Sequence, residues 1–319
     1  MRLVTFEVAG QLRLGAECRG RIVDLQNAAA LLALVERGWA AAHEPALPAE
    51  MLSLLGGGAA AMQRVGDLIA TIRDLPAAVW DLLDGQSAIL YREEQVRRRA
   101  PIPRPPKIIC LGLNYRDHAA ESGMPVPDEP VLFSKYATAV IGPDEPIVLP
   151  PDSDQVDYEA ELVFVIGKRG RNIPESEAMA YVAGYTCGHD VSARDYQLHR
   201  GGNQWMVGKT FDTFAPLGPA LVTADEIPDP NRLEIACRVN GETLQRSNTR
   251  EFVFTVAQVV SYLSRIMTLE PGDVVFTGTP PGVGFARKPP IFLKPGDVVE
   301  IEIEGIGVLR NPVRAAEGV

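Results

Sequence analysis

An alternation of apolar and polar positions over residues 157–166 predicts a β-strand. Successive side chains on a strand point to opposite faces. Tyr158, Ala160, Leu162, Phe164 and Ile166 therefore share one face, and Asp157, Glu159, Glu161, Val163 and Val165 share the other. A second clean alternation at 298–304 turns Val299, Ile301 and Ile303 inward and Glu300, Glu302 and Glu304 outward. Shorter strand-like runs occupy 2–8, 12–24, 107–112 and 131–135. Helical spacing predicts helices over 28–42, 62–83 and 255–267, the last with Val256, Val259, Val260 and Leu263 on its apolar face. Residues 117–121 fit about one helical turn, stopped by Gly123 and Pro125. Gly56, Gly57 and Gly58 read as a loop, and Pro-Gly-Asp at Pro271 and again at Pro295 reads as a turn feeding a strand.

The pattern changes at Pro101-Ile-Pro-Arg-Pro-Pro106, where proline density predicts a stiff, extended connection. This sets an expected boundary between a small N-terminal α/β domain, 1–100, and a mostly β domain, 101–319, giving an α+β chain. The first part holds no cluster of acids, histidines or cysteines, and His43 reads as a surface residue. Arg97, Arg98 and Arg99 read as a solvated surface or an interface contact.

Composition narrows the class. The 319 residues suffice for a large core, and 46% hydrophobic with 23% charged residues argues against disorder. A formal charge of −10 argues against nucleic acid, which is bound through basic patches. No apolar run approaches the ~20 residues of a membrane span, and the first residues lack a secretory apolar core. Cys18, Cys110, Cys187 and Cys237 are isolated, which fits a reducing compartment and neither a zinc site nor a disulfide frame. A cytoplasmic protein is expected.

The candidate chemistry lies in the middle of the chain. Glu159 and Glu161 stand side by side on one strand face, and a further acid, Asp190, ends the apolar segment 181–187. Clustered carboxylates raise one another's pKa, and a divalent cation relieves the repulsion. The alternative is an edge strand whose acids face solvent. His118 and Glu121, three apart, would meet on one helix face as an oriented general base, or else as a surface pair. The segment 277–284 is a hydroxyl-bearing, Gly-rich turn that could offer N–H groups to an anion, or a plain hairpin loop; it lacks the lysine of a phosphate-binding loop.

These pieces occur in order. Gly112-Leu-Asn-Tyr115 with His118 and Glu121 comes first, then Glu159-x-Glu161, then Asp190 with Arg194 and Gln197. Gly208-Lys209-Thr-Phe, Val239-Asn-Gly241 and Thr277-Gly-Thr279-Pro follow. The series, covering 107–313, resembles the fumarylacetoacetate hydrolase family. The resemblance implies a mixed β-sandwich roll, a homodimer, and Mg²⁺ or Mn²⁺ (Ca²⁺ in some members) held by Glu159, Glu161 and Asp190. It implies His118, Glu121 and Lys209 as catalytic, and a small 2-oxo or β-diketo acid as substrate. Arg194, Gln197, Lys135 and Thr279 are the substrate-side candidates, and Asp157 is expected outside the ligand set. The reaction expected first is hydrolytic C–C cleavage of an acylpyruvate, with His118 activating water and the metal and Lys209 steadying developing negative charge. Within the family, the branch this chain most resembles points instead to keto–enol tautomerisation of oxaloacetate, and decarboxylation of oxaloacetate uses the same site. A non-catalytic, metal-stabilised binding module is the reading from another class.

Overall fold

A computed structural model of the protein describes residues 1–37, 47–84, 88–121, 125–200, 202 and 204–316, with the side chains of 36–37 and 118–120 left out. His43 falls outside the described residues. The architecture is α+β and mostly β: a twelve-stranded mixed sheet, a five-stranded sheet and a short two-stranded ribbon.

The strand predicted over 157–166 is two pieces. Val156–Asp157 pairs with Ser192–Ala193, and Ala160–Ile166 lies between Val182–His189 and Val274–Phe276 in the large sheet. The predicted faces hold across the break. Tyr158, Ala160, Leu162, Phe164 and Ile166 enter one core cluster, while Val163 and Val165 enter a second. Every residue of Ala160–Ile166 is buried, so the edge-strand reading of Glu159 and Glu161 is overturned. An antiparallel partner on each side removes the edge, and a core packs on each face.

The first cluster lies between the two sheets. The smaller sheet runs Glu242–Asn248, Glu234–Val239, Val298–Ile303, Gly307–Ala315, Ile147–Leu149. Its Val299, Ile301 and Ile303 point into the cluster, as the alternation predicts. Helix Val256–Ile266 buries Val256, Val259, Val260 and Leu263 against the same core. Its start is fixed by a reciprocal cap between Thr255 and Gln258. Both Pro-Gly-Asp turns use one device: the aspartate side chain (Asp273, Asp297) accepts from the backbone N–H three residues earlier, at Glu270 and Lys294.

The second cluster lies between the other face of the large sheet and the N-terminal helices. Helix Leu25–Arg37 covers the described part of the predicted 28–42. The helix predicted over 62–83 is divided into Gly58–Arg73 and Ala77–Leu83. Pro76 has no N–H to continue the ladder and disfavours helical geometry in the residue before it. The triple glycine is not a loop: helix Met51–Gly56 ends there and the next helix starts at Gly58, whose φ of +63° suits glycine. The arginine run is corrected too. Arg97–Arg99 is a strand paired with Arg2–Val8, and its side chains form ion pairs with Glu7, Glu17, Glu93 and Glu145 of the same chain. Strand Arg2–Val8 also pairs with Ala215–Thr223, so the N-terminal strands continue the large sheet across the proline run. Among the described residues, no helix is long and apolar enough to cross a membrane.

Candidate active site

Glu159, Glu161 and Asp190 converge. Each offers a carboxylate oxygen within 4.8 Å of the others, and all three are buried. The sheet explains this: Glu161 pairs with Gly188 on the neighbouring strand, and the Asp190 N–H donates to the Glu159 carbonyl at 3.0 Å, so the two ends are tied together. Short helix Met206–Lys209 brings Lys209 to the group. Its Nζ donates to Glu159 Oε2 and Asp190 Oδ2, each at 2.8 Å. Burial opposes the lysine charge, but Asp190 and Glu159 overcome it and hold the ammonium above its ordinary range. Glu161 has no direct bond from a cation among the described residues. Burial, then the charges of Asp190 and Glu159, push its pKa well up, against the charge of Lys209 and the N–H that Gly278 donates at 2.7 Å.

The charge count supports a further cation. With every group ionised, the buried cluster of four carboxylates (Asp157, Glu159, Glu161, Asp190) and three cations (Lys135, Arg194, Lys209) carries one excess negative charge, which a proton on Glu161 or a bound cation relieves. Three close carboxylate oxygens are a donor set for hard divalent ions. The triad can therefore hold a metal, and the residues present fit one.

The substrate-side candidates separate on inspection. Gln197 lines the adjoining cavity of about 410 Å³, and so do Arg194, Thr279, Lys209 and Glu159. Arg194 is largely committed to protein. Its Nε donates to Asp157 Oδ2 at 2.8 Å, its Nη1 to Gln197 Oε1 at 2.9 Å, and its Nη2 lies 2.7 Å from Glu159 Oε1. Lys135 is placed elsewhere than expected, since it lies behind Asp190 and does not line the cavity. It donates to the carbonyls of Val191, Lys209 and Phe214, with its Nζ 2.6 Å from Asp190 Oδ1. Three protons on three carbonyls leave an ammonium none for a ligand. Asp157 is no member of the triad. It accepts from the N–H groups of Gly284 and Phe285 at 2.7 and 3.0 Å and from Arg194, which pins one cavity wall.

Glu121 ends helix Arg116–Glu121 at the cavity, where both its oxygens lie 3.1 Å from the Gly282 N–H. His118 belongs to this helix, but its side chain lies outside the described residues. The apolar part of the lining is Leu111, Leu113, Phe133, Trp205 and Phe285. Phe133 faces the Lys209 ammonium at 5.1 Å and Phe285 the Arg194 guanidinium at 4.6 Å. Leu113, which lines the cavity, holds a left-handed φ of 55°, an uncommon conformation for leucine. Trp205 and Phe285 escaped the sequence reading, as did Gln245, which joins the site from the smaller sheet. Aromatic residues in loops and a lone glutamine carry no local signal of what they will face.

With this geometry, comparison with known proteins is direct. Residues 107–314 match the family described as fumarylacetoacetate (FAA) hydrolase C-terminal, and the chain belongs to the fumarylacetoacetate hydrolase family of enzymes. Within it, the chain is 48% identical over 98% of its length to a Bos taurus protein named oxaloacetate tautomerase FAHD2A, mitochondrial, covering 91% of that protein. It is 55% identical over 69% of its length to the Dictyostelium discoideum fumarylacetoacetate hydrolase domain-containing protein 2 homolog, covering 75% of it. Among solved structures, maleylpyruvate hydrolase from Sphingobium sp. SYK-6, in complex with manganese(II) and pyruvate, is similar. Its TM-score is 0.72 at 29% identity, over 99% of this chain and all of that one. The expectation of a cytoplasmic protein is overturned, because relatives from Bos taurus, Xenopus laevis and Homo sapiens are named mitochondrial. Isolated cysteines and ordinary hydropathy fit any reducing compartment, so they could not single out the cytoplasm.

Proposed function

We propose that the protein is a divalent-metal-dependent enzyme of small 2-oxo acids, and that its reaction is keto–enol tautomerisation of oxaloacetate. The observation that carries this is the buried carboxylate triad, whose Glu159 lines, beside Lys209, a cavity large enough for a small acid. The relatives named oxaloacetate tautomerase favour that reaction over its neighbours.

The chain's own groups divide the work. Mg²⁺ or Mn²⁺ on Glu159, Glu161 and Asp190 would supply Lewis acidity at the 2-oxo oxygen. Lys209 Nζ, held by Glu159 and Asp190, steadies negative charge as it gathers on that oxygen. His118 takes the proton from C3 of the keto acid, the 2-oxo oxygen takes up a proton from solvent to complete the enol, and the reverse direction runs both transfers backward, while Glu121 supports His118 from the same helix. Arg194 orients Glu159 and, through Gln197 Oε1, the amide of Gln197. Asp157 holds Arg194 and Phe285 in place.

A second reading is hydrolytic C–C cleavage of an acylpyruvate, in which His118 takes its proton from water. The apolar lining of Leu111, Phe133 and Trp205 favours it, because oxaloacetate has no apolar tail to bury there. The test is incubation with oxaloacetate and with acetylpyruvate, followed by NMR, with Mg²⁺ or Mn²⁺ against an EDTA control. Metal-dependent acceleration of keto–enol exchange without cleavage is the expected result, with exchange in His118→Ala reduced about a hundredfold or more. Acetate and pyruvate from acetylpyruvate would establish the hydrolase instead. Pyruvate from oxaloacetate would establish a decarboxylase, and silence on both acids with metal bound a binding module.

A further inference from the structure

Gln245 lies in strand Glu242–Asn248 of the smaller sheet, is 1% exposed, and reaches across to the large one. Its amide can sit only one way round. Oε1 faces the Ala160 N–H at 2.9 Å, and an N–H can only donate. Nε2 faces the Pro280 carbonyl at 2.8 Å, and a carbonyl can only accept. These two backbone groups settle the oxygen and nitrogen ends without reference to any side chain. The second Nε2 proton then goes to Thr279 Oγ1, 2.8 Å away. Thr279 accepts from Gln245 and cannot donate back, because no acceptor atom of the amide faces it.

The threonine hydroxyl keeps one proton to place. Thr279 lines the cavity together with Glu159 and Lys209, and no described residue takes that proton. A hydroxyl normally rotates to act as donor or acceptor as its neighbours require. Here one of the two acceptor lone pairs is already filled from behind, which leaves the proton to turn toward the cavity. The same glutamine grips Ala160, between Glu159 and Glu161, so the hydroxyl is held in register with the carboxylate strand.

We propose that Gln245 is a positioning residue that sets the Thr279 hydroxyl as a hydrogen-bond donor into the cavity, where it holds a carboxylate oxygen of the substrate. The proposal rests on reading the cavity as a 2-oxo acid site. A hydroxyl with its proton to give and one lone pair already filled suits a group that only accepts, such as a carboxylate, better than one that only donates, such as an ammonium.

The test uses oxalate as probe, with Mn²⁺ present, and calorimetric titration of the full-length chain. Thr279→Val should weaken oxalate about tenfold to a hundredfold, the range for a hydrogen bond to a charged group, while Thr279→Ser stays near wild type. Gln245→Met should weaken it to a similar degree. Combining Gln245→Met with Thr279→Val should weaken it no further than Thr279→Val alone, since the glutamine acts through the hydroxyl. A purely structural glutamine would instead lower Tm equally in both backgrounds and multiply the two losses in affinity, which overturns the proposal. If Gln245→Met does not fold, the Thr279 pair decides, and equal binding by Ser and Val variants overturns the proposal. Oxalate bound alike by wild type, Thr279→Val and Gln245→Met overturns this proposal and spares the site reading. No binding by wild type overturns both.

Discussion

His189 is wholly buried at the end of strand Val182–His189, one residue before Asp190, and neither ring nitrogen has a hydrogen-bond partner among the described residues. Burial, helped by Lys135, pushes its pKa down from 6.5 to about 3. The unfolded chain takes up a proton below pH 6.5, and the folded chain resists it until about pH 3. The neutral ring therefore contributes stability that is fully present above pH 6.5 and is lost as pH falls toward 3. Between pH 7 and pH 5 this one residue should account for about 2 kcal/mol of lost stability. Urea unfolding at the two pH values checks it. His189→Asn should lose less stability than wild type over that interval, and equal losses would show that the histidine is protonated in the folded state.

At the level of elements, the site depends on how closely a four-residue helix approaches its neighbours. A Cβ on Gly208, in helix Met206–Lys209, would lie 2.5 Å from the Gln197 nitrogen and 2.6 Å from the Ala193 carbonyl oxygen. Both are backbone atoms, so no rotamer change relieves the clash. Gly208→Ala should push the helix outward, cost about 1–3 kcal/mol by overpacking, and withdraw Lys209 from Glu159 and Asp190. Denaturant unfolding reads the first effect. Loss of turnover in protein that remains folded reads the second, and a variant with wild-type stability and turnover would mean the helix has room. Local pattern does reach this far in places. The alternation over 157–166 sorted its residues between two cores correctly, since period two is a property of the strand itself. It could not show that Glu159 and Glu161 are buried, because the flanking strand Val274–Phe276 lies over 100 residues away. Lys135 was legible as a cation, but the three carbonyls that occupy it come from other elements. Gln245, 85 residues from Ala160, sits among Leu244 and Arg246 with nothing local to mark it.

Across the whole molecule, the proline run at 101–106 is a change of composition with a sheet running through it. Strand Arg2–Val8 is hydrogen-bonded to Ala215–Thr223, the Thr223 N–H donates to the Met1 carbonyl at 2.9 Å, and Arg2 donates to the carbonyls of Gly305 and Ile306. Leu3, Leu14, Leu54 and Ile72 share a core cluster with Val163, Val165, Leu217 and Phe276. Removing residues 1–100 would bare that face of the large sheet, whose Val163 and Val165 lie on the strand that carries Glu161. The chain should then unfold in one cooperative transition. At roughly 0.7 kcal/mol per residue near 60 °C, a single unit of this length has an enthalpy of about 220 kcal/mol, whereas two units divided at residue 101 would show about 70 and 150. Scanning calorimetry separates these outcomes. One peak whose van't Hoff enthalpy approaches the calorimetric value makes the N-terminal layer part of the same cooperative unit as the site. Two peaks, each with its own smaller enthalpy, would establish the proline run as an energetic boundary, with the shared sheet only a docking contact.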